Sequence, residues 1–122
     1  MLLNSFFYIL TEDLAENTAR FTIKLNPEHS IFQGHFPGYP ITPGVCVAQM
    51  AVDLFSYIWH QEFNIHKAKS IKFINLLKPE ETDTCDYQLT WEKLDGQEFR
   101  MKAIVTLEDT TIAKLDLTLR KQ

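Results

Sequence analysis

The feature that most constrains the fold is the segment from Val45 to Glu62, which predicts one long and almost wholly apolar helix. Its apolar residues fall around most of the helical circumference, so nearly every face needs a covering surface. The helix follows directly on Pro43-Gly44, which is typical of a helix start. A chain of 122 residues has room for a single domain, 1–122, and the remainder of that domain has to cover the helix.

The covering surface is predicted to be a sheet, because apolar and polar residues alternate along segments on both sides of the helix. An Asp95-Gly96 pair predicts a tight hairpin between two of these segments. One buried helix wrapped by a largely antiparallel sheet is an α+β arrangement. The predicted strands are Phe6–Leu10, Ala19–Leu25, Lys69–Leu77, Cys85–Trp91, Phe99–Leu107 and Ala113–Leu119.

The segment between the second strand and the helix, Asn26 to Gly44, is predicted to be an ordered loop. It holds four prolines and three glycines, which restrict the backbone, and several apolar side chains that anchor it. Within Gly34 to Val45 it carries a single histidine, His35. Imidazole titrates near neutrality, and a stiff loop holds the ring in one place, so His35 is a candidate acid–base catalyst.

Composition excludes some classes of partner. The net charge of −4 and the lack of a long basic run argue against nucleic acid. No apolar run is long enough to span a membrane, and Met1 to Leu10 lacks the features of a signal peptide, so we expect a cytoplasmic protein without a membrane partner. Cys46 and Cys85 show no metal-binding spacing and are predicted to be buried, and no metal or cofactor is expected.

The stretch from Gly34 to Val45, GHFPGYPITPGV, resembles the β-hydroxyacyl-(acyl carrier protein) dehydratases of the hotdog fold. The family pattern is roughly GHFPG-x-P-x-x-PGV, and every fixed position is present. Lys72-Phe73 and Pro79 are similar to the family's basic-aromatic strand and the proline that ends it, so the resemblance covers about residues 27 to 81. It implies a hotdog fold and an enzyme that dehydrates 3-hydroxyacyl thioesters in fatty-acid or polyene synthesis.

The resemblance also implies roles for individual residues. His35 is the base, and the amides of Gly44 and Val45 at the helix start face the thioester oxygen. The family's second catalytic residue is a carboxylic acid fourteen residues after the histidine, and here that position is Gln49. One turn later Asp53 stands where the family commonly has glutamine, so the acid and the amide are exchanged along one helical stripe. The remaining substrate-binding positions that the motif implies are Phe36, Pro37 and Gly38.

Three hypotheses follow from the exchange, because an amide cannot deliver a proton. Asp53 takes over as the acid, or His35 performs both proton transfers while Gln49 orients the hydroxyl. Alternatively dehydration is lost, and the protein is a hotdog acyl thioesterase or a non-catalytic acyl-binding partner of an active dehydratase. The polar stripe itself continues through Ser56 to His60, and that end is predicted to face solvent.

The expected assembly is a homodimer or a dimer-based oligomer, because in the resembled family the site lies between protomers. The expected substrate is an acyl thioester of acyl carrier protein or coenzyme A. An acidic carrier would dock on the local basic excess of Lys67, Lys69, Lys72 and Lys78. Enzymes similar to this one hold a cis peptide between the histidine and phenylalanine of the motif, and we expect the same between His35 and Phe36.

Overall fold

A six-stranded antiparallel sheet covers one long helix in the computed structural model, which describes residues 1–34 and 41–122. The strand order is β1-β2-β4-β5-β6-β3, so β1 and β3 form the two edges. This arrangement confirms the predicted α+β class and one long central helix. The elements are β1 (Phe7–Leu14), β2 (Thr18–Leu25), α1 (Ser30–Gly34), α2 (Gly44–Trp59), β3 (Phe63–Phe73), β4 (Thr84–Lys93), β5 (Glu98–Leu107) and β6 (Thr110–Lys121).

Helix α2 is buried along most of its length, as its apolar circumference predicts. From Cys46 to Ser56 every residue except Gln49 is buried. Alternate residues of β2, β4, β5 and β6 point at the helix and form the core, whereas the intervening polar residues lie on the outer face of the sheet. The buried Tyr87 hydroxyl donates a 2.9 Å hydrogen bond to the Val47 carbonyl, which ties β4 to the first turns of α2.

The helix ends at Trp59, three residues before the predicted end at Glu62. His60 adopts a left-handed conformation with φ of 51°, and the Gln61 amide donates to the Ser56 carbonyl at 3.2 Å. A left-handed residue followed by an amide that bonds back to the last turn terminates a helix, even where the residues that follow are compatible with a helical pattern. The predicted helix was therefore too long at its C-terminal end.

Two predicted boundaries around the helix are also wrong. The segment that was predicted to be loop contains the short helix α1, in which Phe32 is buried and stacks on Phe6 with ring centres 4.8 Å apart. Strand β3 begins at Phe63 and ends at Phe73, whereas the predicted strand was Lys69–Leu77. As an edge strand it is exposed on both faces over most of its length, so it lacks the alternation by which a half-buried strand is detected.

The turns were predicted more accurately than the ends of the strands. Gly96 has φ of 67° in the hairpin between β4 and β5, as the Asp95-Gly96 pair indicates. A left-handed backbone conformation costs little free energy at a glycine, because glycine has no Cβ to clash with the backbone. Among the described residues no helix has the length and apolar character needed to cross a membrane.

Candidate active site

Part of the predicted site lies outside the described residues. His35, Phe36, Pro37 and Gly38 fall in the stretch 35–40, and so does the expected cis peptide. These remain predictions. The structure describes the residues on both sides of this stretch, including helix α2, which carries the other predicted site residues.

The start of α2 presents backbone donors that the helix does not use. Pro43 is the N-cap in an extended conformation and offers no side-chain cap, and the first intrahelical bonds run from Cys46 and Val47 to its carbonyl. The amides of Gly44 and Val45 have no partner within residues 1–34 and 41–122. Free amides at a helix N-terminus, together with the helix dipole, stabilise negative charge that develops on a nearby oxygen.

A mostly apolar cleft of about 400 Å³ lies beside these amides. It runs from Thr42 and Gly44 at the helix start to Phe73 at the end of β3 and Leu77 beyond it. The Thr42 hydroxyl is buried here and has no hydrogen-bond partner in the described part of the chain. An apolar cleft with a few polar groups at one end is typical of a small-molecule site.

Gln49 lies on the same face of α2 as Val45, one turn farther along. Val45 is 77% exposed, which is unusual for a large apolar residue, and Gln49 is half-buried. The Gln49 side-chain nitrogen, Nε2, donates a 2.8 Å hydrogen bond to Oδ1 of Asp53. The predicted stripe of exchanged amide and acid is therefore a directly bonded pair.

Asp53 is buried, with 1% of its surface exposed. Its second oxygen, Oδ2, accepts hydrogen bonds from the backbone amides of Leu2 at 2.5 Å and Leu3 at 3.2 Å. The N-terminal residues thus cover the stripe. Ser56, predicted to face solvent, is buried as well, and its Oγ accepts a 3.2 Å hydrogen bond from the Phe63 amide.

The predicted exposure was wrong for Ser56, because the start of β3 folds over this side of α2, whereas His60 is exposed as predicted. Leu2 and Leu3 were missed as site residues altogether. They contribute backbone amides, which every residue type except proline carries, so no side-chain pattern could identify them.

Cys46 is the remaining reactive group near the helix start. Burial raises the pKa of its thiol, which keeps the sulfur protonated and poorly nucleophilic at neutral pH. Cys46 is a free, buried cysteine, as the sequence predicts, and it is a packing residue of the first turn.

The lysines that the sequence grouped into one basic surface do not all lie on the same surface in the structure. Lys78 forms an ion pair with Glu81, at 3.6 Å. Lys72 instead lines a groove of about 330 Å³ on the outer face of the sheet together with Lys102 and Lys114. We call this surface the lysine groove. None of its three lysines forms a salt bridge within the described residues.

One carboxylate, Asp116, lies in the lysine groove, and it is already engaged. Arg100 binds it with two hydrogen bonds, of 3.0 and 2.8 Å, and lowers the pKa of Asp116 below its ordinary value. The groove is consequently positive in a chain whose net charge is −4. Lys102 and Lys114 were missed because their grouping depends on strand register, which pairs Lys102 with Asp116 and Lys72 with Lys114.

Comparison with known protein families assigns the chain. Residues 11–114 match the ApeI-like family, which is described as ApeI dehydratase. The chain belongs to this dehydratase family. The match includes strands β2 to β5 and helix α2 with its Gln49–Asp53 pair, and it confirms the dehydratase-like function that the resemblance implied.

Similar curated proteins agree with this assignment. The chain is 32% identical over 107 residues to the 3-hydroxyacyl-(acyl-carrier-protein) dehydratase FabZ of Latilactobacillus sakei, a match covering 82% of this chain and 74% of that protein. It is also 32% identical, with the same coverage, to the corresponding FabZ of Ligilactobacillus salivarius.

Solved structures confirm the fold. The dehydratase heterocomplex ApeI:P from Xenorhabdus doucetiae contains a chain that is 19% identical with a TM-score of 0.73, and the match covers 92% of this chain and 96% of that one. A hypothetical thioesterase from Streptococcus pneumoniae, determined with coenzyme A, gives 13% identity and a TM-score of 0.66, covering 98% and 91% of the two chains. Identities this low establish the shared hotdog fold alone.

Proposed function

We propose that the protein dehydrates 3-hydroxyacyl thioesters at a site formed by His35 of one protomer and the start of α2 of its partner. The observation that carries this proposal is the open face of α2. The amides of Gly44 and Val45, which have no partner among the described residues, lie at its start, and Gln49 follows one turn after Val45. A mostly apolar cleft suited to an acyl chain is lined by Gly44 at the same end of the helix.

A single acid–base residue is sufficient for both proton transfers of the proposed reaction. The neutral imidazole of His35 removes a proton from C2, and negative charge develops on the thioester oxygen, where the amides of Gly44 and Val45 donate to it. As the C3–O bond breaks, the imidazolium returns that proton to the departing hydroxyl. Water leaves, the enoyl thioester remains, and His35 is neutral again.

Gln49 fits this scheme as an orienting group. The family's acid would protonate the hydroxyl, but an amide can only accept or donate a hydrogen bond. Gln49 therefore holds the hydroxyl in place while His35 supplies its proton. The proposed substrate contacts of Phe36, Pro37 and Gly38 in the motif loop complete the pocket around the reacting carbons.

The proposed assembly is a dimer, and its expected contact surface is apolar. Edge strand β3 and the segment after it expose Ile71, Phe73, Ile74 and Leu76, which are between 39% and 60% exposed. Val45 adds a further apolar side chain at the helix start. A single protomer with such a surface beside its active-site cleft is suited to pairing with a second copy.

The proposed carrier of the acyl group is an acidic acyl carrier protein, and the lysine groove is its proposed docking surface. Lys72, Lys102 and Lys114 provide three positive charges without a salt-bridge partner among the described residues, on a chain whose net charge is −4. A negatively charged partner is therefore attracted to this surface specifically. Coenzyme A thioesters are the alternative substrates. The expected cytoplasmic location remains a prediction.

A second candidate function has to be tested because Gln49 cannot act as an acid. In this alternative the protein is a thioesterase or a non-catalytic subunit of an active dehydratase. The ApeI:P neighbour is itself part of a dehydratase heterocomplex, which favours the subunit form of this alternative.

One product assay distinguishes these functions. The purified protein is incubated with a 3-hydroxyacyl thioester, and the products are separated by mass spectrometry. We expect the enoyl thioester from the wild type and none from His35→Ala. Free 3-hydroxy acid would indicate a thioesterase, and unchanged substrate would indicate a subunit that needs a different partner chain.

A further inference from the structure

Asp53 determines which end of the Gln49 amide is available to a ligand. The Asp53 carboxylate accepts three N–H groups, from Gln49 and from the backbones of Leu2 and Leu3. A carboxylate that accepts on both oxygens cannot also donate, so the nitrogen end of the amide has to face it. The carbonyl oxygen of Gln49, Oε1, is therefore left for the open side of α2.

We propose that Asp53 is a positioning residue, which locks Gln49 so that Oε1 accepts the hydrogen of the substrate's 3-hydroxyl. This inference rests on the proposed dehydration. With its hydrogen held by Gln49, the hydroxyl turns a lone pair towards the imidazolium of His35, which is the orientation needed to receive the proton. Gln49 then contacts substrate, and Asp53 acts only through Gln49.

The burial of Asp53 supports a positioning role over that of a replacement acid. Only 1% of its surface is exposed, and both of its oxygens are occupied. To act as the acid, it would have to give up backbone bonds to Leu2 and Leu3 and reach past Gln49. The same bonds make the N-terminal residues part of the support of the site, because they keep the carboxylate from turning.

Asp53→Asn tests the proposal while preserving the shape of the side chain. The introduced amide oxygen still accepts from the Leu2 and Leu3 amides, but the introduced NH₂ group faces Gln49 and donates to Oε1. The Gln49 amide has to turn over, and its own NH₂ group now faces the substrate hydroxyl. We expect kcat to fall about 10²-fold with KM changed less than about threefold, because the defect lies in the orientation of the reacting group.

The double variant Gln49→Glu/Asp53→Asn provides the rescue. It places a carboxyl at the family's acid position with an amide behind it. The amide at position 53 donates to one oxygen of the carboxyl at position 49, and the other oxygen stays available for the substrate. We expect at least a tenfold recovery of kcat over Asp53→Asn. Gln49→Glu alone places two carboxyl groups next to each other, and they share one proton. That proton lies between position 49 and Asp53 and does not face the substrate. We therefore expect the activity of Gln49→Glu to stay below that of the double variant.

Asp86→Asn is the matched control, because Asp86 is also a hydrogen-bonded carboxylate that accepts from Thr22 Oγ1 at 2.7 Å, but on the outer face of the sheet. It should keep wild-type kcat. The contact itself is read independently from the side-chain NH₂ resonances of Gln49 in ¹⁵N-labelled protein. One strongly shifted proton is expected in the wild type, and its loss is expected in Asp53→Asn.

The outcomes separate the two proposals. A folded Asp53→Asn variant with wild-type kcat would overturn the positioning role and leave the proposed dehydration intact. The positioning role would also be overturned if Asp53→Asn lost Tm and activity in parallel and the double variant restored neither, because that result indicates a purely structural role. Wild-type protein without dehydratase activity would overturn the proposed function and with it the role of Asp53, even where the Gln49 resonance still reports the contact.

Discussion

The ring of Phe73, the last residue of β3, lies directly against Gly44, the first residue of α2. A Cβ placed on Gly44 would come within 2.8 Å of two ring carbons. The contact brings the edge of the sheet to the Gly44 and Val45 amides at the helix start, which have no partner among the described residues. It also makes Phe73 one wall of the cleft, so the width of the cleft depends on the absence of a side chain at position 44.

Gly44→Ala is expected to change substrate binding more than stability. The added methyl pushes the half-exposed Phe73 ring aside, into the cleft, while alanine favours the helix by up to about 1 kcal/mol over glycine. We expect KM to rise several-fold and Tm to change by only a few degrees. Steady-state kinetics and thermal unfolding check this, and an unchanged KM would show that Phe73 does not border the acyl site.

Val45→Asp is expected to dissociate the protein without unfolding it. Val45 is 77% exposed in the protomer, and an acidic residue in the first turn of α2 is favourable for the helix. Light scattering should give a dimer mass for the wild type and a monomer mass for the variant at micromolar concentration. Leu94→Asp, a similar change at an exposed position in the hairpin after β4, is the control and should stay dimeric.

Charge reversal in the lysine groove is expected to affect carrier-bound substrate only. Lys102→Glu/Lys114→Glu should raise KM for an acyl carrier protein thioester by about tenfold or more at low salt, because each reversal replaces an attraction by a repulsion. KM for the corresponding coenzyme A thioester should change little. Lys93→Glu makes the same kind of charge change outside the groove. Equal effects on both thioesters would assign the lysines to the active site or to folding.

The Cys85 thiol is expected to resist modification and to make stability fall at alkaline pH. Burial raises its pKa from 9.0 to about 12, so almost none is thiolate at pH 8. The unfolded chain deprotonates first, and stability present below pH 9 is lost as the pH rises from about 9 to about 12. At pH 10 the loss amounts to about 1–2 kcal/mol.

Urea denaturation at pH 8 and pH 10 measures that loss, and Cys85→Ala should reduce it. With a colorimetric thiol reagent at pH 8, we expect no rapid reaction of the native protein and two reactive thiols in urea. Rapid labelling of the native protein would contradict the burial of Cys85 in the core.

The strongest patterns in the sequence were sufficient to predict the fold class. The apolar circumference of α2 required a cover, and the alternation in β2, β4, β5 and β6 identified the strands that provide it. β3 was misplaced because an edge strand with both faces exposed has no hydrophobic period. The end of α2 was misplaced because a left-handed His60 stops the helix through backbone geometry, which leaves no mark in the pattern of apolar residues.

For the site, the sequence by itself determined which chemical groups are present: one motif histidine, an amide at the acid's position and an acid one turn later. Only the tertiary structure decided what those groups are bonded to. Gln49 and Asp53 share a helical stripe by spacing, but the burial of Asp53 depends on the backbone amides of Leu2 and Leu3, some fifty residues away in the chain. Backbone donors are the same in nearly every residue, so their placement follows from the folded path of the chain and cannot be inferred from side-chain identity.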